Sequence, residues 1–381
     1  MGQHVESKGG SEVSFSQISQ DFLDAAMGKL YPAGFPPIDD SDLDDCFMSH
    51  NLLVHPQRSL FHHYPDKDEE VMDGSATCVN YSRESLRSGR VHLSSPKQFN
   101  DPFDCTLAID EEKVLSIAIK RCAEIIGMEP LQSQTAETLA DEFALLSCDL
   151  HGWHVSGTGN NDAMALAVEV FLLSSLRSMQ QSGRARMSGA DILEGAWSVI
   201  NQELSVGDRM RVFCLSTSGM NPGMWAYYAN GNKGFCVEYD TSESFEADSK
   251  GRDQLKMDIL FNTRPVIYRM DRPDCTNLVA DTLFDSLDEQ QLNDLYLRSL
   301  YVKGLSWGLE QEWRFVMPQG YAGMDDHDNA AFFPVKSVCA GALMDEQRLT
   351  SLRKVCGEVG VPLYKLVPEH QRYGYHVIRV P

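Results

Sequence analysis

Glu310 and Glu312 stand one residue apart in the run Trp307-Gly308-Leu309-Glu310-Gln311-Glu312-Trp313-Arg314-Phe315. Neighbouring carboxylates push one pKa upward, which suits a general base or a group that orients a sugar hydroxyl. Read as a strand, period two puts Glu310, Glu312 and Arg314 on one face, with Trp313 and Phe315 turned to the core. The plainer alternative is an Arg314–Glu312 surface pair beside an unrelated Glu310.

A second group lies in FCLSTSGMNPGMWAYYANGNKGFCVEYD, residues 213–240. A strand ends in the hydroxyls Ser216, Thr217 and Ser218. Asn221 caps a helix that starts at Pro222 and is closed by Gly231. Trp225, Tyr228 and Ala229 share a face of that helix. Hydroxyls at a strand end, a helix start and a stacking aromatic suit a planar ring joined to a phosphate. The competing reading is a strand–helix–strand core unit in which Trp225 is a packing anchor.

A third group is Ser94-Ser95-Pro96-Lys97-Gln98-Phe99-Asn100-Asp101-Pro102-Phe103-Asp104, followed by Cys105. Asn-Asp-Pro is turn chemistry, so Asn100 and Pro102 hold the shape of a site while Asp101 and Asp104 are candidates for chemistry. His62-His63 reads as surface, and His92, between Val91 and Leu93, as a candidate to face the pocket. The sequence has no GxxxxGK[ST], GxGxxG or HExxH run.

These groups need elements to hold them. A strand is expected near Thr77–Tyr81, a short helix over 83–88 ending at Gly89, and a strand over 90–93. Residues 111–206 read as amphipathic helices, including 112–128 and 162–179, around a loop at 152–162. Strands follow at 212–217, 234–240, 264–268, 312–317, 335–343 and 373–380, with helices at 222–230, 276–300 and 345–357. The fold class is α+β, with a mixed or antiparallel β core around an inserted helical block at 111–206. The domain spans 76–381. Residues 1–70 read as a polar, acidic arm, with IDDSDLDD at 38–45 and a short amphipathic helix over 15–30.

Composition bounds the rest. The chain has 381 residues and a net charge of -22, which repels phosphate backbones and disfavours nucleic acid as a partner. Ten cysteines without a CxxC pair argue against structural zinc and for a reducing cytosol. The first residues, MGQHVESKGG, resemble a myristoylation signal but carry Glu6 at the hydroxyl position. The longest apolar run, 164–176, contains Glu169 and is too short to span a bilayer. A cytoplasmic chain without a membrane anchor is the expectation.

The three signatures in this order, FNDPFDC, CLSTS…MWAYYA…KGFC and W…EQEWR, resemble a widespread, uncharacterised bacterial domain family over about 76–381. That family's first strand carries Lys or His before Tyr, where Asn80-Tyr81 is the match assigned here. More distantly, the order is similar to that of ADP-ribosyltransferases, enzymes of toxin and phage-defence biology with split sheets. That resemblance implies NAD as substrate. It also implies a polar first-strand contact at Asn80 or Tyr81, an NAD-binding strand end at Ser216, Thr217 and Ser218, and stacking by Tyr228 beside Trp225. Glu312 would then stabilise the oxocarbenium-like transition state, and Glu310 would activate a small-molecule or protein acceptor. Two other classes stay open. One is a Mg²⁺-dependent hydrolase or nuclease using Asp101, Asp104, Glu238, Glu310 and Glu312. The other is a non-catalytic sensing or interaction module.

Overall fold

The segment Ser-Leu-Phe-His-His-Tyr forms strand β1 (Ser59–Tyr64), which lies inside the main sheet between two other strands. The sheet therefore takes in residues that the sequence reading assigned to the arm. The computed structural model describes residues 51–54, 56–70, 78–146, 162–204, 206–242, 254–284 and 289–381. The expected arm helix over 15–30, the acidic run 38–45 and the loop at 152–161 lie outside the described residues.

After β1 come β2 (Glu69–Glu70), β3 (Cys78–Val79), α1 (Tyr81–Ser88) and β4 (Arg90–His92). The helical stretch follows as α2 (Glu111–Ile125), α3 (Ala136–Leu146), α4 (Asp162–Gln181), α5 (Gly189–Leu204) and the single turn α6 (Val206–Arg209). Next are β5 (Met210–Ser216), α7 (Pro222–Tyr227), β6 (Phe235–Asp240), α8 (Gln254–Asn262), β7 (Thr263–Pro265) and β8 (Ile267–Arg269). The expected helix over 276–300 is two, α9 (Thr276–Phe284) and α10 (Glu289–Leu300). The chain ends with β9 (Val302–Gly304), β10 (Glu312–Pro318), β11 (Asn329–Ala331), β12 (Val335–Ala340), α11 (Glu346–Val359), β13 (Leu363–Pro368) and β14 (Tyr375–Arg379).

The fold is α+β. Eight strands form one mixed sheet in the order β14-β13-β12-β6-β1-β5-β10-β7. Only β12 and β13 run parallel in it. The pairs β2–β3, β4–β11 and β8–β9 form separate small sheets. Within the large sheet one junction is weak: β1 and β5 pair at Phe61–Ser216 alone, whereas β1 pairs with β6 along its whole length. Beyond that pair, β1 and β5 do not continue the ladder, and the sheet opens there.

Alternation along the strands gives the sheet two unlike faces. On one face Leu60, Tyr64, Phe213, Leu215, Phe235, Val237, Trp313 and Phe315 pack with residues of α1, α8 and α11 in the largest core. The other face carries two smaller apolar clusters. One joins Val212 and Val316 to Leu297, Leu300 and Tyr301, and the other joins Cys236 and Leu366 to Trp225 and Ala229. The helices α2, α3, α4 and α5 share a core of their own, completed by Cys275, Val279 and Leu295 from outside the expected insert. Among the described residues no helix is long and apolar enough to cross a membrane.

Candidate active site

A cleft of about 390 Å³ opens on the second face of the sheet, over the place where β1 and β5 part. Phe61, His62 and His63 of β1 form one wall, and Cys214 and Leu215 of β5 form the floor. The turn at Gln98–Asn100 and Asp104 close one side, while Met224, Tyr227 and Tyr228 close another. Lys303, Glu310 and Glu312 supply the charged end. The volume is that of an ordinary small-ligand pocket, apolar for the most part with a few convergent polar groups.

Glu310 and Glu312 do not sit on one strand. A 3₁₀ turn, Leu305–Glu310, ends at Gln311, whose φ of 49° is left-handed, and β10 begins only at Glu312. That reversal swings Glu310 back beside Glu312 so that both carboxylates reach the ammonium of Lys303. Its Nζ lies 2.6 Å from Glu310 Oε2, 3.0 Å from Glu312 Oε2 and 3.3 Å from Asp104 Oδ2. Arg314, with no exposed surface, takes the other side of the cluster. Its Nε donates to Glu312 Oε1 at 2.7 Å, and its Nη1 and Nη2 donate to the two oxygens of Asp104 at 2.9 and 2.7 Å. The Arg314–Glu312 pair, which the plainer alternative put at the surface, is thus buried. Buried charges persist only when paired, and here each is.

Three carboxylates share two cations: Arg314 pairs with Asp104 and Glu312, while Lys303 also pairs with Glu310. Burial, and then repulsion from Glu312, push the pKa of Glu310 above the usual carboxylate range. Burial also works against ionised Glu312, but Arg314 and Lys303 outweigh it and hold this carboxyl down to about 2. The Tyr228 hydroxyl donates to Glu310 Oε1 at 2.5 Å. Burial and the adjacent Glu310 raise the tyrosine's own pKa, so it stays a donor. The surroundings thus push the two carboxyls apart, Glu310 upward and Glu312 downward, the separation that acid/base sites need.

The hydroxyls at the end of β5 build this turn and do not meet the cleft. Ser216, fully buried, donates to the Glu310 carbonyl at 2.6 Å, and Ser218 N donates to Ser216 Oγ at 3.1 Å. Thr217 donates through Oγ1 to Gln311 Oε1 at 2.8 Å and through its backbone N to the Gln311 carbonyl at 3.1 Å. The assignment of Ser216, Thr217 and Ser218 to ligand binding is corrected accordingly: Ser216 and Thr217 clamp the carboxylate turn in place, and Ser218 is tied to Ser216. Trp225 is corrected too. It has no exposed surface, and its Nε1 donates to the Gly219 carbonyl at 2.8 Å. It anchors α7 to the sheet. The helix is capped by Asn221 with Pro222 at its first position, as expected, but ends at Tyr227 rather than running to 230.

Asn80 and Tyr81 are outside the cleft wall. Asn80 caps α1, accepting from Arg83 N, and its amide donates to Asp66 and Asp68; Tyr81 is exposed. The expected strand near 77–81 is β3, paired with β2 outside the main sheet, while β1, with His63 and Tyr64, is the first strand of the main sheet. His63 is also not a surface residue. It is 4% exposed, its ring meets that of Trp225 edge-on at 5.1 Å, and neither ring nitrogen has a hydrogen-bond partner among the described residues. Burial and then neighbouring His62 lower its pKa to about 3. His62 Nδ1 lies 2.6 Å from the Cys214 carbonyl, and burial takes this histidine down to about 4. His92 is exposed and bonded to the His327 carbonyl, away from the cleft.

The turn FNDPFDC is both scaffold and wall. Asp101 Oδ1 accepts from Phe103 N at 2.9 Å, the expected turn bond. Asp104, named with Asp101 as a candidate for chemistry, lines the cleft and grips Arg314. Glu238 lies with Ser59, Ser337 and Lys336 and takes no part. Lys303 was missed altogether, because nothing in Val-Lys-Gly marks it out. Its only sequence signal is a lysine within an otherwise buried strand.

Residues 224–315 match the model of a family described as a protein of unknown function (DUF2971). The matched span runs from α7 to β10. It contains Tyr228, Lys303, Glu310, Glu312 and Arg314, and so every charged residue of the cluster except Asp104. No curated protein and no solved structure matches the chain.

Proposed function

We propose that the cleft is the active site of an ADP-ribosyltransferase-like enzyme, which breaks the N-glycosidic bond of NAD and passes ADP-ribose to an acceptor. The observation that carries this reading is the divided pair: Glu310 poised to take a proton and Glu312 held ionised, both on one cleft wall and joined through Lys303. As the bond between the ribose C1′ and the nicotinamide nitrogen breaks, its electron pair leaves with neutral nicotinamide and positive charge grows on the sugar. Ionised Glu312 stabilises that charge through the low-dielectric wall, without having to give up Arg314. The acceptor's nucleophilic atom bonds to C1′ and its proton passes to Glu310, which releases it to solvent.

Two further features support the reading. The first-strand polar contact that the resemblance implies falls on His63, a neutral imidazole at the cleft wall with both nitrogens unpartnered among the described residues. A buried polar group of that kind takes up a ligand or water partner. The place where β1 and β5 part gives a single sheet the opening that split sheets provide. Tyr228 fits the reading less as a stacking ring than as the donor that orients Glu310.

The test is release of free nicotinamide from NAD by the full chain, with candidate protein and small-molecule acceptors. Wild type is expected to release it and Glu310→Gln to lose about 10²–10⁴-fold in rate. Wild type that leaves NAD intact under every acceptor overturns the reading.

A further inference from the structure

Lys303 is drawn into the cluster from β9, while its carboxylate partners come from the 3₁₀ turn, from β10 and from the loop that ends at Asp104. The indole of Trp307, 5.0 Å from Nζ, lies against a further side. An ammonium has three N–H donors, and three carboxylates stand around this one. It is 7% exposed, and the carboxylates outweigh burial to raise its pKa, so it remains a cation and is no nucleophile. The pairing of Tyr268 in β8 with Lys303 in β9 fixes its place, and Tyr268 Oη in turn accepts from Glu312 N at 2.8 Å.

We propose that Lys303 is a positioning residue of this site: it gathers Asp104, Glu310 and Glu312 around one point, keeps Glu312 ionised and sets the pH at which Glu310 exchanges its proton. Its catalytic consequence rests on the reading above; its effect on the two carboxyls does not. The groups that face Glu310 are Tyr228 from the turn after α7, Glu312 from β10 and Lys303 itself, with Asp104 from the loop before α2 paired to Lys303 and Arg314 of β10 paired to Glu312 and Asp104. Cys214 of β5 lies beside Glu312, and burial followed by that carboxylate keeps its thiol protonated. Glu310 is thus the exchangeable member of the set, and Lys303 is the cation that touches it.

The experiment reads protonation directly, without NAD. In the full wild-type chain, carboxyl ¹³C resonances are followed against pH, with Glu310 assigned by its loss in Glu310→Gln, together with the ¹⁵N resonance of the Lys303 ammonium. The Lys303 signal is expected to shift with the same midpoint as Glu310. In Lys303→Met the Glu310 midpoint is expected to move to higher pH, whereas Lys303→Arg keeps it near the wild-type value. Under the NAD reading, Lys303→Met also lowers the nicotinamide-release rate by about 10²-fold through misplacement of Glu310, and moves the acid limb of the pH profile upward. A Lys303 resonance indifferent to Glu310 in wild type, or a Glu310 midpoint unmoved in folded Lys303→Met, overturns the proposal. Because the wild-type titration does not depend on Lys303→Met, the inference stays testable if that variant does not fold. Absence of nicotinamide release from wild type would overturn the NAD reading alone.

Discussion

Tyr228 donates its hydroxyl hydrogen bond to Glu310 Oε1 across 2.5 Å, while Lys303 holds the other oxygen of the same carboxyl. One carboxyl is therefore gripped from both sides by donors that favour its ionised form, against the burial and the Glu312 charge that oppose it. Its protonation is decided by small differences between large terms.

Tyr228→Phe removes one of these grips. A hydrogen bond to a charged group contributes about 1.5–3 kcal/mol, and its loss makes Glu310 harder to ionise. The rate of the variant should fall more on the acid side of the profile than on the alkaline side, with the acid limb moved to higher pH. Rates measured across the full profile check it; a profile parallel to wild type would count against the role given to Tyr228.

Glu310 and Glu312 should differ sharply in what an amide does to stability. Burial and Glu312 raise the pKa of Glu310, whereas Arg314 and Lys303 lower that of Glu312, so Glu310→Gln should cost less unfolding free energy than Glu312→Gln. Glu312→Gln strips a buried, doubly paired carboxylate from Arg314 and Lys303 and should cost about 3–5 kcal/mol. Urea unfolding of both variants distinguishes them. Equal losses would mean that the two carboxyls are not divided as described.

The two histidines of β1 should make the protein acid-sensitive. In the folded chain they titrate at about 4 (His62) and about 3 (His63), both depressed from 6.5 by burial. A depressed histidine binds its proton more readily in the unfolded chain, so its stabilising contribution is complete above pH 6.5. It is lost progressively as pH falls from there toward the folded values. Glu312, held at about 2, adds a further loss below its ordinary value of 4.5. Replacing His63 with Phe should flatten the dependence of unfolding free energy on pH between 6.5 and 3, measured by urea titrations at successive pH values. An unchanged slope would show that His63 is protonated in the folded state.

Trp225 should prove structural, and its neighbour Tyr227 should not. Trp225→Ala removes a side chain with no exposed surface and should cost about 3–5 kcal/mol. Tyr227, 73% exposed at the cleft mouth, should tolerate Ala within about 0.5 kcal/mol. Thermal unfolding of the two variants makes the comparison.

Much of the framework was legible because it depends on neighbours in the chain. The Asn221-Pro222 helix start and the alternation through β5, β6 and β10 follow from local rules of capping and period two. β1 was not legible, because His62, His63 and Tyr64 are polar by type. They join the sheet by packing against Phe213, Trp225 and Phe235, residues far along the chain. Period two also misplaced Glu310, since the left-handed Gln311 breaks the strand just before Glu312.

What the sequence determined by itself, then, is the α+β class, the segments that carry the site and the pairing of two acids near an arginine. The tertiary structure decided what those acids are. Lys303 and Asp104 reach them from 9 residues before Glu312 and from 210 before Arg314. The protonation of a carboxyl depends on how deeply it is buried and which charges surround it. Both are set by chain segments that meet only when the fold closes, so no spacing within EQEWR could have told Glu310 from Glu312.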